Sequence, residues 1–131
     1  MINALLRGLR PDLDVRVIEV EPGAPWPALQ AAEAIERGEL VALLADRTGL
    51  GDRTATVPFL GRPATFPAGP WALAAALRCP VLLTFGLHRP PDRYELVAEP
   101  FPLASEPLPR GAAREAALAE RVARYAARLE H

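Results

Sequence analysis

The densest set of side chains able to bind a charged ligand falls between Asp46 and Pro70. Asp46 and Arg47 directly follow the apolar run Leu40-Val-Ala-Leu-Leu-Ala45, and Arg53 and Arg62 lie in the Gly-, Thr- and Arg-rich stretch behind them. Guanidinium groups suit phosphate because their forked N–H donors match paired oxygens. Gly69-Pro70 opens a predicted helix, whose free N–H groups and positive dipole end add to that capacity. Together Arg47, Arg53, Arg62 and this helix end are suited to a phosphate or a phosphopantetheine. A plainer reading of Asp46 and Arg47 carries equal weight: Asp46 caps a turn and Arg47 pairs with it.

Other chemistries find little to work with. Ser105 is the only serine, and it sits in a Pro-rich connector without a Gly-x-Ser-x-Gly context, so a hydrolase triad is not expected. Two His and one Cys lack ligand spacing, so no metal is expected. Gly49-Leu50-Gly51 lacks the third glycine of a dinucleotide fingerprint and reads as loop. His88 is the sole internal imidazole and hence the sole candidate histidine base. Beside Arg89 and four residues before Asp92, it reads better as a strand-end residue at a hairpin. Arg114, Arg121 and Arg128 recur every seven residues on the last helix, with Arg124 alongside. Such a stripe could meet an acidic carrier protein or anionic headgroups, but a solvated face balanced by Glu115 and Glu120 is the favoured reading.

Around these residues the chain reads as a single α/β domain. Its 131 residues suffice for one core, and its net charge of -1 argues against a nucleic-acid partner. All basic residues are Arg, which high genomic G+C would also produce. The lone Cys79 excludes an internal disulfide framework and points to a reducing compartment. No apolar run reaches the roughly 18–20 residues of a membrane span, so this stretch is expected to be soluble, with any anchor outside it. The prolines cluster between periodic segments and read as loop and cap residues.

The pattern predicts the closing turns of a helix at Ile2–Leu9 and a short strand at Val15–Val20. A helix from Pro25 to Arg37 follows, with Leu29, Ala32 and Ile35 at helical spacing. Leu40–Ala45 has the unbroken apolar character of a strand covered on both faces, and Thr48–Pro67 reads as a long loop. A helix from Pro70 ends at Cys79-Pro80. Strands at Val81–Phe85 and Tyr94–Ala98 pair antiparallel across the Arg89–Asp92 turn. The last helix runs from about Ala112 to Leu129, with Leu118, Val122, Tyr125 and Leu129 as its apolar stripe. This order predicts a mixed, partly parallel sheet with flanking helices. Ligands of such sheets collect beyond the carboxyl ends of the strands, which is where Asp46 and Arg47 would lie.

The run Gly38–Arg47, then Val57-Pro-Phe59-Leu60-Gly61-Arg62-Pro63-Ala64-Thr65-Phe66-Pro67-Ala-Gly69-Pro70, then Leu73-Ala74 and Cys79-Pro80-Val81 resembles the C-terminal half of bacterial lipid A biosynthesis acyltransferases, of the lysophospholipid acyltransferase superfamily. The resemblance is strongest between Gly38 and Phe101. It implies a partial lysophospholipid acyltransferase-like fold. It also implies transfer of a fatty acyl group from acyl carrier protein or acyl-CoA, without a further cofactor, to a glycolipid or lipid A-like acceptor at the inner membrane. Asp46, Arg47, Arg53, Phe59, Gly61, Arg62 and Gly69 are then the substrate-binding residues.

The family's chemistry needs a His-x-x-x-x-Asp or Glu pair, in which His takes the acceptor proton and the carboxylate orients it. The pair has no match here: five residues beyond His88 stands Arg93. No catalytic residue is therefore assigned. Many relatives carry Asp-Gln where this chain has Asp46-Arg47. Two explanations stay open: an isolated domain or truncated reading frame, or a short protein that binds lipid or carrier without chemistry. The ending Leu129-Glu130-His131 also looks like the start of a vector-encoded tag. A sheet lacking its N-terminal strands is expected to leave an apolar edge or face uncovered and to self-associate.

Overall fold

The computed structural model describes residue 8 and residues 15–20, 24–49 and 51–131. The expected helix at Ile2–Leu9 lies outside the described residues apart from Gly8. Contacts divide the chain into two compact units, Met1–Val41 and Ala42–His131.

In the first unit, helix α1 spans Trp26–Glu36. Pro27 sits in its first turn, where the missing N–H has no intrahelical partner to lose. Gly38 closes it with φ +79. There its N–H donates to the Ile35 carbonyl at 2.9 Å and the Glu39 N–H to the Ala34 carbonyl at 2.9 Å, a paired arrangement that needs a left-handed residue and so favours glycine. Ala31 and Ala34 are the buried positions, whereas Leu29 is exposed. Glu39 accepts from Arg37 at 2.5 Å and from Arg16 at 3.4 Å. Among the described residues Val15–Val20 forms no strand, contrary to the expectation of a short one.

The second unit contains two antiparallel hairpins and two helices. Strand β1, Thr54–Phe59, pairs with β2, Arg62–Pro67, in the register Phe59↔Arg62 through Thr54↔Pro67. Helix α2 is Gly69–Leu77. Strand β3, Leu82–Arg89, pairs with β4, Arg93–Pro100. A 3-10 turn at Pro102–Ser105 then leads to helix α3, Ala113–Leu129. The core lies between α3 and the inner face of β1–β2. Leu118, Val122, Tyr125 and Ala126 of α3 meet Val57, Phe66, Trp71 and Phe101 there. Trp71 stands 5.0 Å from Tyr125 and 5.3 Å from Phe101 between ring centroids, and Phe66 meets Tyr125 edge-on at 6.1 Å.

The mixed α/β class with flanking helices holds; its parallel component does not appear, since both described sheets are antiparallel. Leu40–Ala45 belongs to no ladder, and Leu40, Leu43 and Leu44 are exposed. An apolar run becomes a central strand only if neighbours satisfy its backbone on both sides, and among the described residues none does. The expected loop at Thr48–Pro67 is instead mostly the β1–β2 hairpin. Pro58 and Pro63 look like breakers, but they face each other in the register. The turn closes on Phe59↔Arg62, so the Pro58↔Pro63 pair falls at a non-hydrogen-bonded position and costs no ladder bond.

Candidate functional site

The β1–β2 turn consists of two residues, Leu60 at φ +50 and Gly61 at φ +75. Two consecutive left-handed residues twist as the strands do, and this is why short hairpins use them. Gly61 adopts the conformation freely, whereas a side-chain-bearing residue pays for it. The Leu60 N–H donates to the Glu130 carboxylate just beyond α3, pinning the turn to the end of the helix. Below the turn, Thr56 and Thr65 join their hydroxyls at 3.1 Å on the outer face. The inner face carries Ala55, Val57, Ala64 and Phe66 into the core.

The predicted site residues fall into three places. Asp46 and Arg47 pair with each other, at 3.2 Å from Nε and 3.0 Å from Nη2. The Arg47 hydrogen bonds hold the Asp46 carboxyl below its usual range, against a smaller opposing effect of burial. This is the plainer arrangement foreseen for them, and the strand end that would have pointed them at a ligand is not formed. Arg53 and Gly69 lie together at the open end of the hairpin. There the Ala68 N–H, at the cap of α2, donates to the Arg53 carbonyl at 2.8 Å, and the Arg53 guanidinium stands 3.9 Å from Glu115. Phe59, Gly61 and Arg62 form the opposite end. The six-residue strands put about 17 Å between the two ends, so Arg62 and the α2 N-terminus do not converge on one phosphate. Phe59 is committed to the core side, its ring edge-on to Phe66 at 5.4 Å. Arg62 is exposed and makes no ion pair or side-chain hydrogen bond among the described residues. It forms part of the wall of a shallow, open depression of about 380 Å³, with Thr56, Val57, Pro58, Gly61 and Pro63.

Other candidates resolve simply. His88 lies opposite Tyr94 in the β3–β4 register, with ring centroids 5.3 Å apart and no carboxylate partner among the described residues. The Ser105 hydroxyl donates to the Pro102 carbonyl at 2.9 Å within the 3-10 turn. No metal-binding cluster occurs among the described residues, and none of their helices is long and apolar enough to cross a membrane.

The arginine stripe of α3 is not a uniform solvated face. Arg121 is buried, donating to the carbonyls of Glu106 at 2.6 Å and Ala104 at 3.3 Å. Arg128 grips Glu99 of β4 with two bonds of 2.6 Å, and Arg124 pairs with Glu120. Tyr125 is the residue that sequence reasoning undervalued. Burial raises its phenol pKa and the Asp46 charge raises it further, so the hydroxyl stands within electrostatic reach of the Asp46–Arg47 pair. The helical stripe marked its ring as core, but no pattern in the sequence relates a residue of α3 to Asp46.

The aromatic-x-Gly-Arg-Pro-Ala tip of this hairpin, leading through Gly-Pro into a Leu-Ala helix, is the segment on which the resemblance to acyltransferases rests. The family model described as bacterial lipid A biosynthesis acyltransferase matches residues 1–125. The chain belongs to that family, and a general acyltransferase role follows. No curated protein and no solved structure matches it.

Proposed function

We propose that these residues form the substrate-binding part of an enzyme that moves a fatty acyl group from acyl carrier protein or acyl-CoA to a lipid A-like glycolipid, working at the inner face of a membrane. The observation that carries this reading is the hairpin tip. Arg62 opens β2 directly after the two-residue turn, with no ion pair or side-chain hydrogen bond among the described residues, beside an open depression and within the segment that bears the family pattern. In the reaction the acceptor hydroxyl oxygen attacks the thioester carbonyl carbon. Its proton passes to a base, and the tetrahedral intermediate collapses with loss of the carrier thiolate, which takes up a proton. Arg62 is suited to hold a phosphate of the acceptor or of the carrier's phosphopantetheine. The Asp46–Arg47 pair and the Tyr125 hydroxyl are suited to line the acceptor's approach.

No His-x-x-x-x-Asp or Glu pair occurs in the sequence, so the base is supplied by residues outside it and the chain alone is catalytically silent. Sequencing upstream of Met1 and assaying the joined polypeptide tests this. A His-x-x-x-x-Asp or Glu motif and acyl transfer by the joined protein are expected. An upstream frame without the motif, or clear turnover by the isolated chain, refutes it.

A second reading is favoured by the same missing pair: a non-catalytic module that binds lipid or acyl carrier protein through its arginines. It requires affinity for one of these partners that drops in Arg47→Ala or Arg62→Ala. Binding to neither removes it.

A further inference from the structure

The geometry points to the tip of the β1–β2 hairpin as the place where this protein touches an anionic lipid surface, with Leu60 entering the headgroup–acyl boundary and Arg62 meeting lipid phosphate. This rests on the membrane-facing reading above and specifies the contact surface.

Leu60 is anomalous twice over. Its backbone sits at φ +50, a conformation in which Asn, Asp or Gly is ordinarily found. Its side chain is 71% exposed, so burial within the protein does not offset that strain. Folding alone therefore gives no reason for leucine at this position. An apolar environment outside the protein does.

The neighbours fit the same occupant. Pro58 and Pro63 flank the turn, exposed and uncharged. They place no outward N–H on either edge at the tip, which disfavours a second copy adding there as a strand. Arg62 stands two residues from Leu60 without an ion pair among the described residues. The nearby carboxylate, Glu130, is engaged by the Leu60 N–H. An apolar residue at the apex with a free guanidinium beside it matches the layering of a bilayer surface, hydrocarbon beneath phosphate.

The test is co-sedimentation of the full chain with vesicles of phosphatidylglycerol and phosphatidylcholine, and with phosphatidylcholine alone. The wild type is expected to bind the anionic vesicles more tightly. Leu60→Asn is expected to weaken partition by about tenfold. Because Asn tolerates the left-handed backbone, its thermal midpoint should stay level or rise, separating lost contact from lost fold. Arg62→Gln should weaken binding to anionic vesicles by about fivefold and to neutral ones hardly at all. Wild-type binding that survives both substitutions overturns the tip assignment but leaves the membrane-facing reading standing. No wild-type binding to either vesicle overturns both. Complete displacement by millimolar inorganic phosphate would mark Arg62 as a site for free phosphate and overturn the lipid assignment.

Discussion

The two hairpins of the Ala42–His131 unit share antiparallel pairing and short turns, yet they relate to the core in different ways. The β1–β2 hairpin lies under α3 and gives Val57 and Phe66 to the core. The β3–β4 hairpin buries Leu83 and partly buries Phe85 and Val97 on one face. Its other face carries Leu82, Thr84, Gly86 and His88 opposite Pro100, Ala98, Leu96 and Tyr94. All are exposed, Leu96 at 84% and Tyr94 at 72%. The difference teaches that strand pairing sets a hairpin's register, but helix cover decides whether it is a scaffold or an open surface.

Truncation of the α3 side chains that cover the β1–β2 hairpin should do the most damage. Leu118→Ala removes a side chain that is 1% exposed in the core between α3 and β1–β2 and should cost about 2–5 kcal/mol in denaturant unfolding. Leu96→Ala on the open face should stay within about 0.5 kcal/mol. Equal losses would erase the distinction between the hairpins.

Next in size is Arg121→Ala. It strips the donors from the buried carbonyl of Ala104 and the part-buried carbonyl of Glu106 and should cost about 1–3 kcal/mol. Hydrogen exchange should show the loosening first in the 3-10 turn. A uniform loss across both hairpins would mean that Arg121 supports the whole core and not this connection.

The open face sharpens the comparison through association. We propose that it drives self-association, and Leu82→Lys with Leu96→Lys should then lower the average mass in sedimentation while leaving the unfolding midpoint nearly unchanged. A wild type that is monomeric over a wide concentration range removes this proposal.

The smallest expected effect is on acid stability. The Arg128 hydrogen bonds hold the Glu99 carboxyl below its ordinary pKa. A depressed carboxylate pKa contributes stability that is fully present above the unfolded value and is lost as pH falls below it and through the lowered folded value. Glu99→Gln should therefore flatten the acid limb of the stability profile slightly, and raised salt should mimic it in the wild type. An unchanged acid limb would show that this link between β4 and α3 is incidental.

Much of the scaffold is legible residue by residue. Pro27 and Gly38 bracket α1, Gly69-Pro70 opens α2, and the stripe Leu118–Val122–Tyr125 gives the inner face of α3. The turn after Arg89 separates two runs that do pair. The β1–β2 hairpin escapes such reading because its prolines are harmless only in one register, and register is a relation between two segments. Leu40–Ala45 misleads for the converse reason, since apolarity alone does not supply the neighbouring strands that a central strand requires. Within the site, guanidinium chemistry is visible in Arg47, Arg53 and Arg62. Their separation into a self-paired Asp46–Arg47, a hairpin base and a hairpin tip is not.

The amino-acid sequence by itself determined helices α1 to α3, the β3–β4 pairing, the family pattern from Phe59 to Pro70 and the lack of a His-x-x-x-x-acid pair, because each is local or follows from order along the chain. Only the tertiary structure decided that Arg121 is buried, that the Asp46 charge acts on the Tyr125 phenol and that Leu60 stands exposed on a left-handed turn. Burial, electrostatic reach and backbone strain depend on which distant segments meet, and local composition does not encode that meeting.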